Sequence, residues 1–266
     1  MKRLDLFLVD NGMARSRSQA REKIVRGHIQ ALCRESSTPV WKTLMKPSYM
    51  VPDKGPEIRE TENSFDRFVS RAGLKLEGAL ESFGIDVTGY EVLDVGASTG
   101  GFTDCCLQRG AEQVFAIDVG HKQMAATLLQ NPQVSLAEGI NARNLTALQG
   151  ALGKKKFDLI VMDVSFISIK LILPHLPIFL KTNGRIISLV KPQFELGPAA
   201  LNKNGIVTST DFAPQLERDI SRALEGAGLS LIRFIRSSLA GADGNEEFFI
   251  LSEPGVPLSS NFSKTK

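Results

Sequence analysis

The chain is poor in cysteine, with three in 266 residues: Cys33 and the adjacent pair Cys105 and Cys106. Three cannot build a disulfide framework, and neighbours in sequence bridge poorly, so the expected setting is a reducing cytoplasm. Long apolar runs are also missing. The greasiest stretch, Leu171 to Leu180, is broken by Pro174, His175 and Pro177, well short of the ~20 apolar residues that span a bilayer. Met1-Lys2-Arg3-Leu4-Asp5 meets an acid at once and lacks the apolar centre of a signal peptide. Neither a membrane partner nor secretion is expected. His121 and His175 are scattered, and no Asp, Glu or His set has metal-ligand spacing, so no metal is expected.

What the chain does contain is ordinary globular material, 42% hydrophobic and 23% charged, which excludes whole-chain disorder, collagen-like repeats and a coiled coil. The net charge of +3 says little until it is divided. Residues 1–60 hold twelve Lys or Arg against seven Asp or Glu, a net of +5, which leaves −2 for the remaining 206 residues. A basic module on a near-neutral body points to a polyanionic partner.

Leu4, Phe7 and Leu8 fall at helical spacing before Asn11-Gly12, which predicts a short helix. Ser16-Arg17-Ser18-Gln19 has the spacing of a capping box and opens a second helix that ends at Gly27. Arg17 and Arg21 share one face of it, with Ala20 and Ile24 on the adjacent apolar stripe. Arg15, Lys23, Arg26 and His28 add donors around it. Residues 29–60 suggest a small β-appendage, and Thr61-Glu62-Asn63-Ser64 opens a linker over 61–67. From 68 to 254 helix alternates with strand. A helix is expected over 68–84 and another over 212–227. Short apolar runs predict strands at Glu91–Val95, Gln113–Ile117, Val134–Glu138, Phe157–Met162, Arg185–Val190, Leu229–Arg233 and Phe248–Leu251. This is the pattern of an α/β, mostly parallel, seven-stranded sheet, whose ligands bind at the carboxyl ends of the strands. Residues 255–266 read as a flexible tail.

Chemistry sits on those strand ends. The first delivers Asp94-Val95-Gly96-Ala97-Ser98-Thr99-Gly100-Gly101-Phe102-Thr103, whose glycines allow close backbone approach before a helix N-terminus. The spacing is not the G-x-G-x-x-G of dinucleotide enzymes. A carboxylate ahead of the loop repels a pyrophosphate but suits a cationic or zwitterionic ligand such as S-adenosylmethionine. Asp118 closes the second strand, 24 residues after Asp94, where an acid accepts hydrogen bonds from a ribose diol. Asn141 follows the third strand as a candidate adenine contact, or a plain turn former. Asp163 closes the fourth, before Val164-Ser165-Phe166. No Pro-Pro follows it, which counts against exocyclic-amine methylation, and no cysteine lies there to serve as the nucleophile of a C5-pyrimidine mechanism. Cys105 and Cys106 are better read as packing. Lys191 ends the fifth strand and would need carboxylate partners, Asp163 and Glu247 being the candidates. Of Glu246 and Glu247, strand alternation lets only one face the site and does not say which.

With these residues placed, the chain resembles the TlyA family, the haemolysin-like rRNA 2′-O-methyltransferases, over nearly its whole length. Residues 1–60 are similar to the RNA-binding domain of the ribosomal protein S-four type, through Arg3-Leu4-Asp5 and Ser16-Arg17-Ser18-Gln19-Ala20. The body is similar to the Rossmann-like RrmJ/FtsJ methyltransferases, through Phe68 to Leu76, Asp94 to Thr103, Asp158 to Ser168 and Leu189 to Gly197. The resemblance implies a catalytic tetrad at Lys75, Asp163, Lys191 and Glu247, the pattern Gly-Asn-x-Glu-Phe selecting Glu247. It implies S-adenosylmethionine held by Gly96 through Phe102 with Asp118, and RNA contacts from Arg3, Arg15, Ser16, Arg17, Ser18, Arg21, Lys23, Arg26, His28 and Arg71. Arg71-Ala72-Gly73-Leu74 departs from the Gly-Gly common in relatives.

The activity so implied is methyl transfer to a ribose 2′-hydroxyl of ribosomal RNA, cytidine being the suggested nucleotide. Ribosomal RNA or subunits would be the partner, and the chain a monomer or homodimer. Lys191 could orient the 2′-oxygen and stabilise its developing charge, or, deprotonated, act as base; the two roles make opposite demands on its surroundings. Lys75 would hold a substrate phosphate or complete the network. Two other classes compete. A cytolysin requires a membrane-inserting segment, and none is present. A non-catalytic rRNA-binding assembly factor has no need of two lysines and two acids at separate element ends.

Overall fold

The computed structural model describes residues 1–25, 27–33, 39–52, 57–61, 67–208, 211–241 and 244–255. Arg26, most of the expected linker and the tail beyond Gly255 lie outside them. The chain divides into two compact units, Met1–Arg71 and Ala72–Lys266.

In the first unit, β1 (Lys2–Arg3) leads into helix α1 (Leu4–Asp10), followed by α2 (Arg17–Val25) and strands β2 (Ile29–Cys33), β3 (Val40–Thr43), β4 (Met50–Val51) and β5 (Ile58–Glu60). β1 pairs antiparallel with β4, and β3-β2-β5 form a three-stranded antiparallel sheet. The apolar positions expected from helical spacing are the ones buried: Leu4, Leu8, Ala20 and Ile24 are 0% exposed and pack together with Ile29. The Asn11 N–H donates to the Phe7 carbonyl as α1 ends. The capping box at α2 is present in variant form. Ser16 Oγ accepts from the Gln19 N–H at 3.2 Å, while Gln19 Oε1 accepts from the Arg15 N–H at 2.7 Å. At its far end Gly27 and His28 donate to the carbonyls of Ile24 and Lys23, the crossed bonds of a Schellman-type end.

The second unit is a seven-stranded sheet in the order β11-β12-β10-β9-β6-β7-β8. Its strands are β6 (Glu91–Val95), β7 (Gln113–Asp118), β8 (Val134–Glu138), β9 (Phe157–Met162), β10 (Leu180–Val190), β11 (Leu229–Arg236) and β12 (Phe248–Pro254). β6 to β10 pair in parallel, and β12 runs antiparallel between β10 and β11. The accompanying helices are α3 (Ala72–Phe83), α4 (Gly101–Gln108), α5 (Ala126–Leu129), α6 (Leu145–Leu152), α7 (Pro192–Glu195) and α8 (Ala213–Gly226). β9 is buried on both faces from Leu159 to Met162 and reads as a continuous apolar run there for that reason. α8 turns Leu216, Ile220 and Leu224, all 0% exposed, into a core shared with Ile186, Ile250 and Leu229.

Three expectations shift. α3 starts at Ala72 rather than 68, because the periodicity of its apolar face continues into the bend that precedes it. β10 begins five residues early, at Leu180. The polar Lys181-Thr182-Asn183-Gly184 hides that start, and the register against β9 slips between Leu180 and Arg185. β11 and β12 each run three residues further than their apolar cores.

Candidate active site

Because β6, β7, β9 and β10 run parallel, the residues that end them emerge at one edge. β12 enters the sheet from that same edge, with Phe248 paired to Val190. Glu247 therefore arrives beside Lys191 in the sheet, although 56 positions separate them in sequence. Strand alternation is resolved here: Glu247 is buried, 3% exposed, while Glu246 turns outward to Arg236 at 3.0 Å.

The four tetrad candidates form two ion pairs. Lys191 Nζ lies 2.6 Å from Asp163 Oδ1 and donates to Ser165 Oγ at 2.8 Å. Lys75, from the first turns of α3, donates to Glu247 at 2.5 Å. The expectation that Glu247 would partner Lys191 is thus corrected: its carboxylate is taken by Lys75. A side chain at Gly241 would crowd this carboxylate, since a Cβ there would sit 2.6 Å from Glu247 Oε1.

Beside the Asp163 end of this array is a cavity of about 490 Å³, lined among others by Gly96, Ser98, Asp118, Gln123, Asn141 and Asp163. Asp118 accepts from the Ser98 N–H at 2.8 Å and the Gly120 N–H at 2.6 Å, which fixes its carboxylate at the mouth of the glycine loop. Ile117, Val119, Ile140 and Ile172 give the cavity apolar walls. Asn141 lines the cavity and also accepts the Arg143 N–H at 3.1 Å in a turn. Gly96 has φ +84°, and a Cβ on it would lie 2.6 Å from the Asp163 carbonyl. Only glycine lets the two strand-end loops meet backbone to backbone.

Other loop positions turn away from the cavity. Ala97, Gly100, Gly101 and Phe102 are buried, Phe102 stacking on Phe249 at 6.1 Å, and Thr99 is exposed at the turn. Asp94 is corrected too. It does not face the cavity but lies fully buried behind the loop, accepting from Thr103 Oγ1 at 2.7 Å in α4. Burial pushes its carboxyl up to about 7; the Thr103 hydrogen bond opposes this, and the nearby charges of Asp163 and Asp118 reinforce it. Cys105 and Cys106 are 0% exposed and belong to the packing of α4, and burial raises the Cys106 thiol.

Sequence reasoning missed Gln123 and Ser165, in loops, and Glu195, at the end of α7, single polar residues without a signature. Gln123 Oε1 accepts from Ser98 Oγ at 3.0 Å. Glu195, its side chain 1% exposed, accepts from Ser168 Oγ at 2.6 Å and the Ile169 N–H at 2.8 Å. With the 5.5 Å contact of Phe166 and Phe194, these bonds stitch the loop after β9 to the loop after β10. Ser98, Lys122 and Phe166, the non-glycine residues at positive φ among those described, all lie in the loops around the cavity. Such backbone strain collects at functional sites, and that signal is invisible in sequence.

In the first unit, Arg3, Arg17 and Arg21 converge on Asp5. Lys23 instead ties the unit together, donating to the Met13 carbonyl and to Glu60, each at 2.8 Å. Arg15, Ser16 and Ser18 are exposed, and His28 and Arg71 half-buried. Among the described residues no group of His, Cys, Asp and Glu could hold a metal ion, and no helix is long and apolar enough to cross a membrane.

A parallel sheet closed by an antiparallel strand, a glycine loop after the first strand, and an acid ending the second beside an apolar cavity define a Rossmann-like methyltransferase that uses S-adenosylmethionine. The residues present fit that cofactor. Asp118 can take a ribose diol, the apolar walls an adenine, and the Gly96 backbone permits close approach. The model of the FtsJ-like methyltransferases matches residues 68–253. YqxC of Bacillus subtilis, named as an rRNA methyltransferase, is 40% identical over 257 residues, covering 96% of this chain and 86% of its own. The 16S/23S rRNA (cytidine-2′-O)-methyltransferase TlyA of Mycobacterium tuberculosis is 39% identical over 248 residues, 93% of this chain and 88% of its own. A solved structure from Streptococcus thermophilus, titled as a haemolysin, superposes with a TM-score of 0.70 at 33% identity, over 96% of this chain and 88% of that one. The chain belongs to the FtsJ-like methyltransferase family, in its TlyA-like group.

Proposed function

We propose that this enzyme transfers a methyl group to a ribose 2′-hydroxyl of ribosomal RNA, in the cytoplasm, with a cytidine as acceptor. The observation that carries the reading is the double ion pair, Lys191 with Asp163 and Lys75 with Glu247, at the strand edge that also bears the cavity. The names borne by the relatives supply the substrate class.

Gly96, Ser98, Asp118 and Asn141 would hold S-adenosylmethionine, which would supply the electrophilic methyl. The protein's own task is to place the weak 2′-hydroxyl nucleophile and manage its charge. Lys191, held in an ion pair and steadied by Ser165, presents N–H donors. Of the two roles open to it, the pair with Asp163 favours orienting the 2′-oxygen and stabilising negative charge that develops on it. The hydroxyl proton then leaves to solvent at the rim. Lys75 and Glu247 form a rigid floor; fixing the acceptor at ~3–3.5 Å from its target removes much of the barrier. Phe166, 91% exposed on a left-handed backbone and seated at the cavity rim, offers an aromatic face to an unstacked base. The first unit, with Arg3, Arg15, Arg17 and Arg21, grips the phosphate backbone as an S-four-type domain, with Ser16, Ser18, His28 and Arg71 as further contacts.

The test is transfer of labelled methyl from S-adenosylmethionine to purified rRNA, with the product mapped as a 2′-O-methyl. Lys191→Ala should lower transfer by roughly 10²–10³-fold while leaving cofactor affinity, read by calorimetry, largely intact. Full activity in that variant rules out the mechanism.

A further inference from the structure

One carboxylate in the first unit carries three arginines. Asp5 sits in the first turn of α1, 0% exposed. It accepts from the Leu6 N–H at 3.1 Å and from Arg3 Nε and Nη2 at 3.0 and 3.1 Å. Arg17 Nε and Nη2 and Arg21 Nε reach it at 3.2 Å. Arg3 comes from β1, while Arg17 and Arg21 stand one turn apart on α2. The arginine side chains keep 38%, 49% and 53% of their exposure. The Arg3 guanidinium above all, with Arg21 and Arg17, holds the Asp5 carboxyl well below the usual carboxylate range.

One guanidinium would neutralise this carboxylate; three leave a surplus of positive charge at the surface. A guanidinium has five N–H donors in a planar fork. Arg3 and Arg17 dock on Asp5 through Nε and Nη2 and Arg21 through Nε, so the Nη1 donors of all three are not used on Asp5. Long flexible arginines ordinarily lose rotamer freedom when they meet a phosphate. Here the folded protein has already ordered them.

We infer that Asp5 is a positioning residue that assembles Arg3, Arg17 and Arg21 into one preformed receptor for a backbone phosphate of folded RNA. The inference rests on the proposed RNA-binding role of this unit. The bland alternative is that Asp5 only relieves repulsion among the arginines. The two predict opposite signs. Asp5→Asn adds one positive charge to the face, so electrostatics alone makes RNA bind more tightly and with a steeper salt dependence. A positioning role makes binding weaker and the salt dependence shallower.

The experiment uses the full chain and a fluorescein-labelled stem–loop transcript, with anisotropy titrations across a series of salt concentrations. Phosphate contacts carry no sequence information, so such a transcript is an adequate probe. Asp5→Asn is expected to weaken binding about tenfold and to flatten the log–log salt slope by about one unit. Arg17→Lys, which keeps the charge and loses the fork, is expected to weaken binding with the slope nearly unchanged. Unchanged S-adenosylmethionine affinity in each variant reports an intact second unit. If folded Asp5→Asn binds RNA as well as the parent or better, the inference is overturned. If Asp5→Asn fails to fold, Arg21→Lys decides, and parental affinity there overturns it. Failure of the underlying reading looks different: Arg17→Ala and Arg21→Ala would then leave both affinity and slope unchanged.

Discussion

The Lys75 ammonium lies 2.5 Å from the Glu247 carboxylate, with the two side chains only 9% and 3% exposed. A pair so removed from water is costly to break and cheap to replace. Glu247→Ala strands a buried lysine and should destabilise the protein by about 3–5 kcal/mol in urea unfolding. The double variant Lys75→Met with Glu247→Met should recover most of that loss and remain unable to transfer methyl. A double variant that is both stable and active would remove the pair from the proposed machinery.

Asp94 gives stability an unusual pH dependence. Burial keeps its carboxyl protonated up to about 7 in the folded chain, against about 4 for an ordinary aspartate. Between those values the folded state binds more protons than the unfolded one. The contribution is therefore complete below about pH 4 and is lost as pH rises towards 7, at up to about 1.4 kcal/mol per pH unit. Asp94→Asn should flatten this part of the profile in thermal melts taken from pH 4 to 8. Parallel profiles for the variant and the parent would contradict the burial argument.

Phe166 trades stability for function in the opposite sense. Substituting glycine relieves a left-handed backbone worth about 1 kcal/mol and removes a ring that is almost wholly in solvent. Phe166→Gly should melt close to the parent temperature, the relieved backbone offsetting the lost contact with Phe194, yet show a KM for RNA raised roughly tenfold, the scale of one lost base stack. An unchanged KM would end its role as a platform.

Glu195 makes its prediction through the loops it joins. Glu195→Ala leaves the Ser168 hydroxyl and the Ile169 N–H without their acceptor and should cost about 2 kcal/mol of stability. Methyl transfer should fall further than stability explains, because the Lys191–Asp163 contact spans the same two loops. Glu195→Gln, which keeps an acceptor, should restore part of both losses.

The sheet was legible because its strands are short apolar runs flanked by turn residues; β6, β8 and β9 coincide with the runs that predict them. α2 was legible from Ser16 and Gln19, whose side chains do cap its start. What stayed hidden depends on distance in space. Nothing in the sequence says that Glu247 pairs with Lys75 rather than Lys191, since that follows from where α3 packs. Nor does spacing reveal that Asp94 stands behind the glycine loop while Asp118 stands in front of it. Glu195 and Gln123 look like any surface polar residue until the bonds they accept are seen.

β12 has a consequence for when this enzyme becomes an enzyme. Lys75 meets a partner 172 positions further along the chain, delivered by a strand that inserts between two others. During synthesis, the residues that line the cavity, with Asp163 and Lys191, are all made before Glu247. A chain lacking β12 would leave Lys75 without its buried partner. On the proposed mechanism, the reaction centre is complete only once β12 has taken its place between β10 and β11.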